Sequence, residues 1–310
     1  MTLALHQVKS LPQAIVYFSD PENCLNYLVS KRWPNGVACP HCGHNKFGFI
    51  STRRVFKCKH KECCKQFSIK VGTIMEDSPL GLDKWLIAIW LIVNAKNGIS
   101  SCEIARSLDI TQKSAWFLLH RIRLALQNGS LEKLDNAVEA DETFIGGKAR
   151  NMHKDKREDK IKGRGASGKT IVLGALERTT HKKISQVKTR VIKERDKQTL
   201  KAEISQMVEK GSILYTDGHD GYDSLNAEYV RLVVDHAEKY VDGTISTNGI
   251  ENYWTLLKRA LKGTYVSVEP FHLFRSLDEQ SFRFNTRDGN DRDRFEESLT
   301  SIAGRRITYS

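Results

Sequence analysis

At 310 residues, with 49 Lys and Arg against 37 Asp and Glu, the chain carries a formal charge of +12, which directs it towards a polyanionic partner. Hydrophobic residues at 40% and charged residues at 28% exclude a disordered chain and suffice for two or three domains. The longest uncharged apolar stretch, eleven residues between Lys84 and Lys96, falls well short of the ~20 that span a bilayer, so no membrane association is expected.

Met1 to Asp20 lacks the basic and apolar regions of a secretory signal, and a cytoplasmic, reducing compartment is expected. The sequence divides into an N-terminal region over residues 1–78, a helical segment over 79–130, a mixed α/β domain over 131–290 and a tail over 291–310. The first 70 residues hold 11 Lys and Arg against 3 Asp and Glu, so the charge bias is N-terminal. There Cys39-Pro-His-Cys42 forms a CxxC knuckle, followed after fifteen intervening residues by Cys58 and then by Cys63 and Cys64. Two such pairs on facing hairpins place four thiolates around Zn²⁺ at about 2.3 Å, and the crowding of cysteines suits a metal site better than disulfides. The expected structural zinc ligands are Cys39, Cys42, Cys58 and Cys63, with Cys64 a competitor for the fourth position. Lys57, Lys59, Lys61 and Lys65 would let the ribbon touch phosphates as a positioning contact.

From Leu82 to Gln127 the apolar spacing becomes helical and is interrupted at Asn97-Gly98 and Asp109-Ile110, predicting three helices. Ser100-x-x-Glu103 starts the second of them and Thr111 caps the third, leaving a turn short enough for a helix-turn-helix. On the last helix Ala115, Leu118, Leu119 and Ile122 make an apolar stripe. Gln112, Lys113, Arg121 and Arg123 then fall on other faces, where they are candidates for a DNA groove. An ordinary packing unit with a solvated basic face is the competing reading.

Beyond Asn128, strands are expected at Ala137–Ile145, Thr170–Leu176, Ile184–Ile192 and Ile213–Thr216, with a helix over Lys197–Glu209. Between the first two strands lies a basic loop, Lys148 to Lys169, in which Lys148 and Arg150 are candidates for phosphate contacts. On the first strand, alternation puts Val138 and Ala140 on one face and Glu139, Asp141 and Thr143 on the other. The fourth strand runs into Asp217-Gly218-His219. Two strand-end aspartates in one sheet can share a divalent cation. Residues 247–259 read as an amphipathic helix, with Asn248 near its start and Glu251 and Lys258 within roughly 20° of each other around its axis. Hard oxygen ligands suit Mg²⁺ or Mn²⁺ and in-line phosphoryl transfer, with Lys258 beside them to hold a DNA phosphate.

Taken in order, these residues resemble the bacterial insertion-sequence transposases of the DDE type, in particular the ISXO-like group with an N-terminal zinc ribbon. The likeness runs from about Asp20 to Arg287. It includes Arg32-Trp33-Pro34-Asn35-Gly36, Lys65-Gln66-Phe67-Ser68, Gly72-Thr73-Ile74 and Asp141-Glu142-Thr143-Phe144-Ile145-Gly146-Gly147-Lys148. Further on it includes Tyr215-Thr216-Asp217, Thr247-Asn248-Gly249-Ile250-Glu251, Leu257-Lys258-Arg259 and Phe282-Arg283-Phe284-Asn285-Thr286-Arg287.

The resemblance implies an α/β protein whose RNase H-like catalytic domain is preceded by a zinc ribbon and a helix-turn-helix-like segment. It implies Asp141 and Asp217 as metal ligands and Glu251 as the third acid, with Asn248 a rival because some relatives are described with Asn there. The second knuckle departs from the family by a stretch of two residues. The implied activity is binding of terminal inverted repeats, metal-dependent strand cleavage and transfer into target DNA by a homodimer or larger assembly, nucleoid-associated when DNA-bound. A transposase-derived DNA-binding regulator without catalysis and an RNase H-like nuclease are the alternatives.

Overall fold

The computed structural model describes residues 7–127, 132–147, 154–155, 168–181, 183–234 and 246–305. Two compact units are present: one comprises residues 1–127 and 289–310, the other residues 128–288.

The first unit opens with helices α1 (Leu11–Phe18) and α2 (Pro21–Arg32). Asp20 starts α2 by accepting from the Glu22 N–H, Pro21 occupies the first turn, and Lys31 and Arg32 sit in the last turn, where cations suit the helix dipole. A three-stranded antiparallel sheet follows, β1 (Phe47–Ile50), β2 (Val55–Cys58) and β3 (Gln66–Phe67). Its few side chains gather round Phe56, which packs against Trp33, Phe47, Phe49 and Phe67.

The three predicted helices are α3 (Leu82–Asn94), α4 (Ser101–Leu108) and α5 (Gln112–Leu126). Ser100 and Thr111 cap the last two by accepting from the N–H groups of Glu103 and Ser114. Between them Asp109 adopts a left-handed conformation at φ 49°, which ends α4 and turns the chain at once. The C-terminal stretch, expected as a tail, instead forms a helix, α9 (Asp291–Leu299), which belongs to this unit. Its Asn290 capping box is complete, and Phe295 stacks on Tyr27 and packs against Phe18 and Trp90. Burial of the Phe295 ring among the other three holds the segment in this unit.

The second unit is a mixed five-stranded sheet of order β6-β5-β4-β7-β8, formed by β4 (Ala137–Ile145), β5 (Thr170–Glu177), β6 (Gln186–Ile192), β7 (Ile213–Thr216) and β8 (Val230–Val233). The first three strands form an antiparallel meander, and β7 and β8 run parallel to β4. Helix α6 (Lys197–Met207) contributes Leu200, Ile204 and Met207 to a core with Val138, Ala140, Leu173 and Ala175. The opposite core contains Val172, Leu176 and Val187 with α7 (Asn248–Gly263) and α8 (Leu273–Asn285), through Ile250, Trp254, Leu257 and Leu277. Alternation along β4 sends Val138, Ala140 and Glu142 to the first face and Glu139 and Asp141 to the second. Among the described residues no helix is long and apolar enough to cross a membrane.

Candidate active site and metal centre

The cysteine centre lies beside the small sheet, with Cys58 at the end of β2 and Cys39, Cys42 and Cys63 on the loops around it. Cys39, Cys42, Cys58 and Cys63 bring their sulfurs within 4.8 Å of one another, with Cys39–Cys63 at 3.8 Å and Cys42–Cys58 at 3.7 Å. Four ligands about 2.3 Å from a tetrahedral Zn²⁺ stand about 3.8 Å apart, so the cluster has the dimensions of a structural zinc site. Cys63, not Cys64, completes it. Cys64 takes a left-handed backbone at φ 47°, is exposed, and its thiol donates to the His60 and Lys61 carbonyls.

Residues of α5 divide between surface and interior. Gln112 and Lys113 are exposed at its first turn, and the Gln112 amide donates to Ser101 Oγ at 2.8 Å. Arg121 and Arg123, expected on a DNA-facing side, are buried at 4% and 6% exposure. Arg121 donates to the Glu76 carbonyl and lies over the rings of Trp85 and Phe117. Both arginines are therefore removed from the groove contacts, because α3, α4 and α9 all pack on α5 and enclose the face that carries them. Lys148 and Arg150 lie outside the described residues.

The carboxylates gather in the second unit. The β4–β7 register pairs Ala137 with Ile213, Val138 with Leu214 and Glu139 with Tyr215, and continued by two residues it brings Asp141 level with Asp217. Asp217 is half-buried, and its Oδ1 accepts from the His219 N–H at 3.1 Å. The His219 ring turns to the next turn of chain, where its Nδ1 accepts from Gly221 N. Asp141 Oδ2 accepts from the Trp254 indole N–H at 2.9 Å. Burial pushes the Asp141 carboxyl up to about 6, against the pull of that indole bond, and the charges of Glu142 and Asp217 push in the same direction as burial. A carboxylate so disfavoured in its charged form, beside a second one, suits a divalent cation, which would relieve both.

Glu251 lies in the first turn of α7, half-buried, and its Oε1 accepts from Thr247 Oγ1 at 3.0 Å. Lys258 is half-buried two turns further along the same helix, and Asn248 is exposed at its first residue. The neighbouring Tyr253 is fully buried with its hydroxyl on Ser281 Oγ, out of reach of DNA.

Sequence reasoning misses three participants. Trp254, part of the core beneath the sheet, also bonds Asp141. Glu139 Oε1 accepts from Arg178 Nε at 2.7 Å and its Oε2 from Ile250 N at 2.9 Å. Glu142 Oε1 accepts from the Tyr222 hydroxyl and its Oε2 from Arg195 Nη1 at 3.3 Å. The only local signal is the presence of three carboxylates within four residues of a strand otherwise fit for a core.

Gly174, opposite Asp141 on β5, is what lets Trp254 reach it: a Cβ there would lie 2.6 and 2.7 Å from indole ring atoms. Gly174→Ala is expected to lower stability by about 1–3 kcal/mol through overpacking and to shift the tryptophan emission. Thermal unfolding followed by fluorescence checks this, and an unchanged midpoint and spectrum would refute the contact.

Residues 133–285 match the ISXO2-like transposase domain, and residues 19–66 match the transposase zinc-ribbon domain. The chain is 27% identical over 256 residues, 79% of its own length and 84% of the relative's, to a Halobacterium salinarum protein described as "Uncharacterized protein in transposable element ISH50". It is 35% identical over 89 residues, 28% of its own length and 71% of the relative's, to an "Uncharacterized transposase-like protein" of Haemophilus influenzae. The Halobacterium element is archaeal, so the likeness is not confined to bacteria. With a four-cysteine ribbon at one end and a mixed sheet carrying paired aspartates at the other, the chain belongs to the ISXO2-like DDE transposases that bear an N-terminal zinc ribbon.

Proposed function

We propose that the protein binds the terminal inverted repeats of its own mobile element, cleaves a strand there and joins the freed end to target DNA, using an RNase H-like site. The observation that carries this reading is the alignment of Asp141, midway along β4, with Asp217, directly after the end of its parallel neighbour β7, with α7 packed on the Asp141 face. In this reading Asp141, Asp217 and Glu251 hold Mg²⁺ or Mn²⁺, and Lys258 holds a phosphate of the DNA. The ions, when bound, activate the attacking oxygen and neutralise charge on the leaving one.

In cleavage a water oxygen bonds to phosphorus and the 3′-oxygen departs as a hydroxyl. In joining that hydroxyl attacks a target phosphodiester, loses its proton and displaces the target's own 3′-oxygen. Gln112 and Lys113 reach towards the element ends from the first turn of α5, while Lys148 and Arg150 contact phosphates. Two ends are joined together, which calls for at least a homodimer on DNA.

The test is a joining assay on labelled DNA from the flanks of the gene, with Mg²⁺ or Mn²⁺, comparing the native protein with Glu251→Gln and Asn248→Ala. Joined products are expected only with a divalent cation, about 10²-fold fewer with Glu251→Gln, and within about threefold of native with Asn248→Ala, because a carboxylate binds a hard cation better than an amide does. The reverse order would make Asn248 the third ligand. Cleavage without joining would indicate a nuclease, and binding without product a regulator.

A further inference from the structure

We propose that Glu139 and Glu142, the acids on either side of Asp141, are positioning residues that each anchor one of the two other carboxylate-bearing segments. The inference rests on the site reading above, in which Asp141, Asp217 and Glu251 take the metal.

Glu139 is 3% exposed, and both its oxygens are engaged by protein donors. One accepts from Ile250 N, an amide of the first turn of α7 that has no partner within its own helix, and Ile250 is the residue before Glu251. A Cβ on Gly249 would lie 2.8 Å from Glu139 Oε2, so glycine at that place is what admits the carboxylate to the helix end. The other oxygen holds Arg178, which in turn donates to the carbonyl and hydroxyl of Ser246 and lies 3.8 Å from the centre of the Tyr215 ring. The chain entering α7 is thus tied to the sheet by charge-assisted bonds.

Asp141 adds the second point of attachment through Trp254. Residues 139 and 141 are separated by about 6.8 Å along a strand, and residues 250 and 254 by about 6 Å along a helix. Two carboxylates on one strand face therefore meet an axial amide at the start of the helix and an indole one turn further along it. This pair of bonds fixes both the rotation and the advance of α7, and with them the place of Glu251.

Glu142 points to the other face and does the same for Asp217. It is 8% exposed, and its partner Tyr222 is fully buried in the short 3₁₀ helix Asp220–Leu225, which begins three residues after Asp217. Arg195 completes the pairing. Buried carboxylates with every oxygen paired are costly to retain unless the pairing serves a structure, and here they hold the carriers of both distant acids.

The experiment titrates Mn²⁺ onto the full-length protein by electron paramagnetic resonance, alongside thermal unfolding, for Glu139→Gln, Glu142→Gln and Gly249→Ala. The last keeps every carboxylate and only displaces Glu139. Each folded variant is expected to need about 10- to 100-fold more Mn²⁺ for half-saturation, the loss typical when a group that orients a metal ligand is altered. Unchanged half-saturation with a lowered melting temperature would reduce these residues to structural ones and overturn the proposal. Loss of Mn²⁺ binding as complete as in Asp141→Asn would make Glu139 or Glu142 a ligand and overturn it equally. If Asp141→Asn itself binds Mn²⁺ like the native protein, the site reading fails, an outcome distinct from either.

Discussion

Replacing Asp141 by Asn is expected to reduce strand joining by about 10³-fold or more while making the metal-free protein more stable at neutral pH. The first effect follows from removing a charged ligand, because a divalent centre supplies several kcal/mol of transition-state stabilisation and each 1.36 kcal/mol is a factor of about ten. The second follows from burial. An aspartate in an unfolded chain ionises near pH ~3.9, whereas Asp141 holds its proton up to about 6. Stability contributed by the neutral carboxyl is present below about pH 3.9 and lost as pH rises through 6.

A displacement of that size corresponds to on the order of 2 kcal/mol, allowing for partial solvation. The Asn side chain keeps an oxygen for the Trp254 N–H and carries no charge to bury. Its advantage is therefore largest above pH 6 and gone near pH 4, and added Mg²⁺ stabilises only the native protein. Melting curves at pH 4 and pH 7.5, with and without Mg²⁺, check all of this. A variant less stable than the native protein at pH 7.5 without metal would contradict the burial argument.

Removing zinc is expected to unfold the ribbon. Strands of four, four and two residues with a core centred on Phe56 cannot form a stable sheet alone. Zinc binding by comparable small modules is worth about 10–16 kcal/mol at neutral pH, and that binding energy is folding energy. Trp33, edge-on to Phe56 and Phe67, is the local reporter. Chelation or Cys42→Ser should red-shift its emission and abolish binding to element ends, while Cys64→Ser should do neither. The second unit, whose two cores contain none of these residues, keeps its own unfolding transition. Loss of zinc on Cys64→Ser with retention on Cys63→Ser would reverse the ligand choice.

The strands Ala137–Ile145 and Ile213–Thr216 and the caps Ser100 and Thr111 are legible because their signals are local. Apolar alternation and a hydroxyl before a helical run act over a few residues. Strand β8 escapes notice because Val230–Val233 has only four residues, with exposure at both ends. Helix α5 shows the limit of an amphipathic pattern. Its stripe from Ala115 to Ile122 is correctly apolar, yet Arg121 and Arg123 are buried too, since three helices enclose it and the guanidinium of Arg121 finds a carbonyl and two aromatic rings.

By itself the sequence determined the chemistry that residue type and spacing carry: thiol pairs suited to zinc, an aspartate on one strand and another just after a second, and a helix bearing Glu251, although Asp141 lies midway along its strand and not at its end. Tertiary structure decided how those groups are held. Glu139 meets Ile250 across 111 residues, Asp141 meets Trp254 across 113 and Glu142 meets Tyr222 across 80. Asn94 meets Asp291 across 197, bringing the C-terminal helix back to the first unit. Such pairings depend on sheet order and on which face of a strand a helix covers. A one-dimensional pattern shows that a carboxylate is present, but only packing shows whether it faces a metal or holds another element in place.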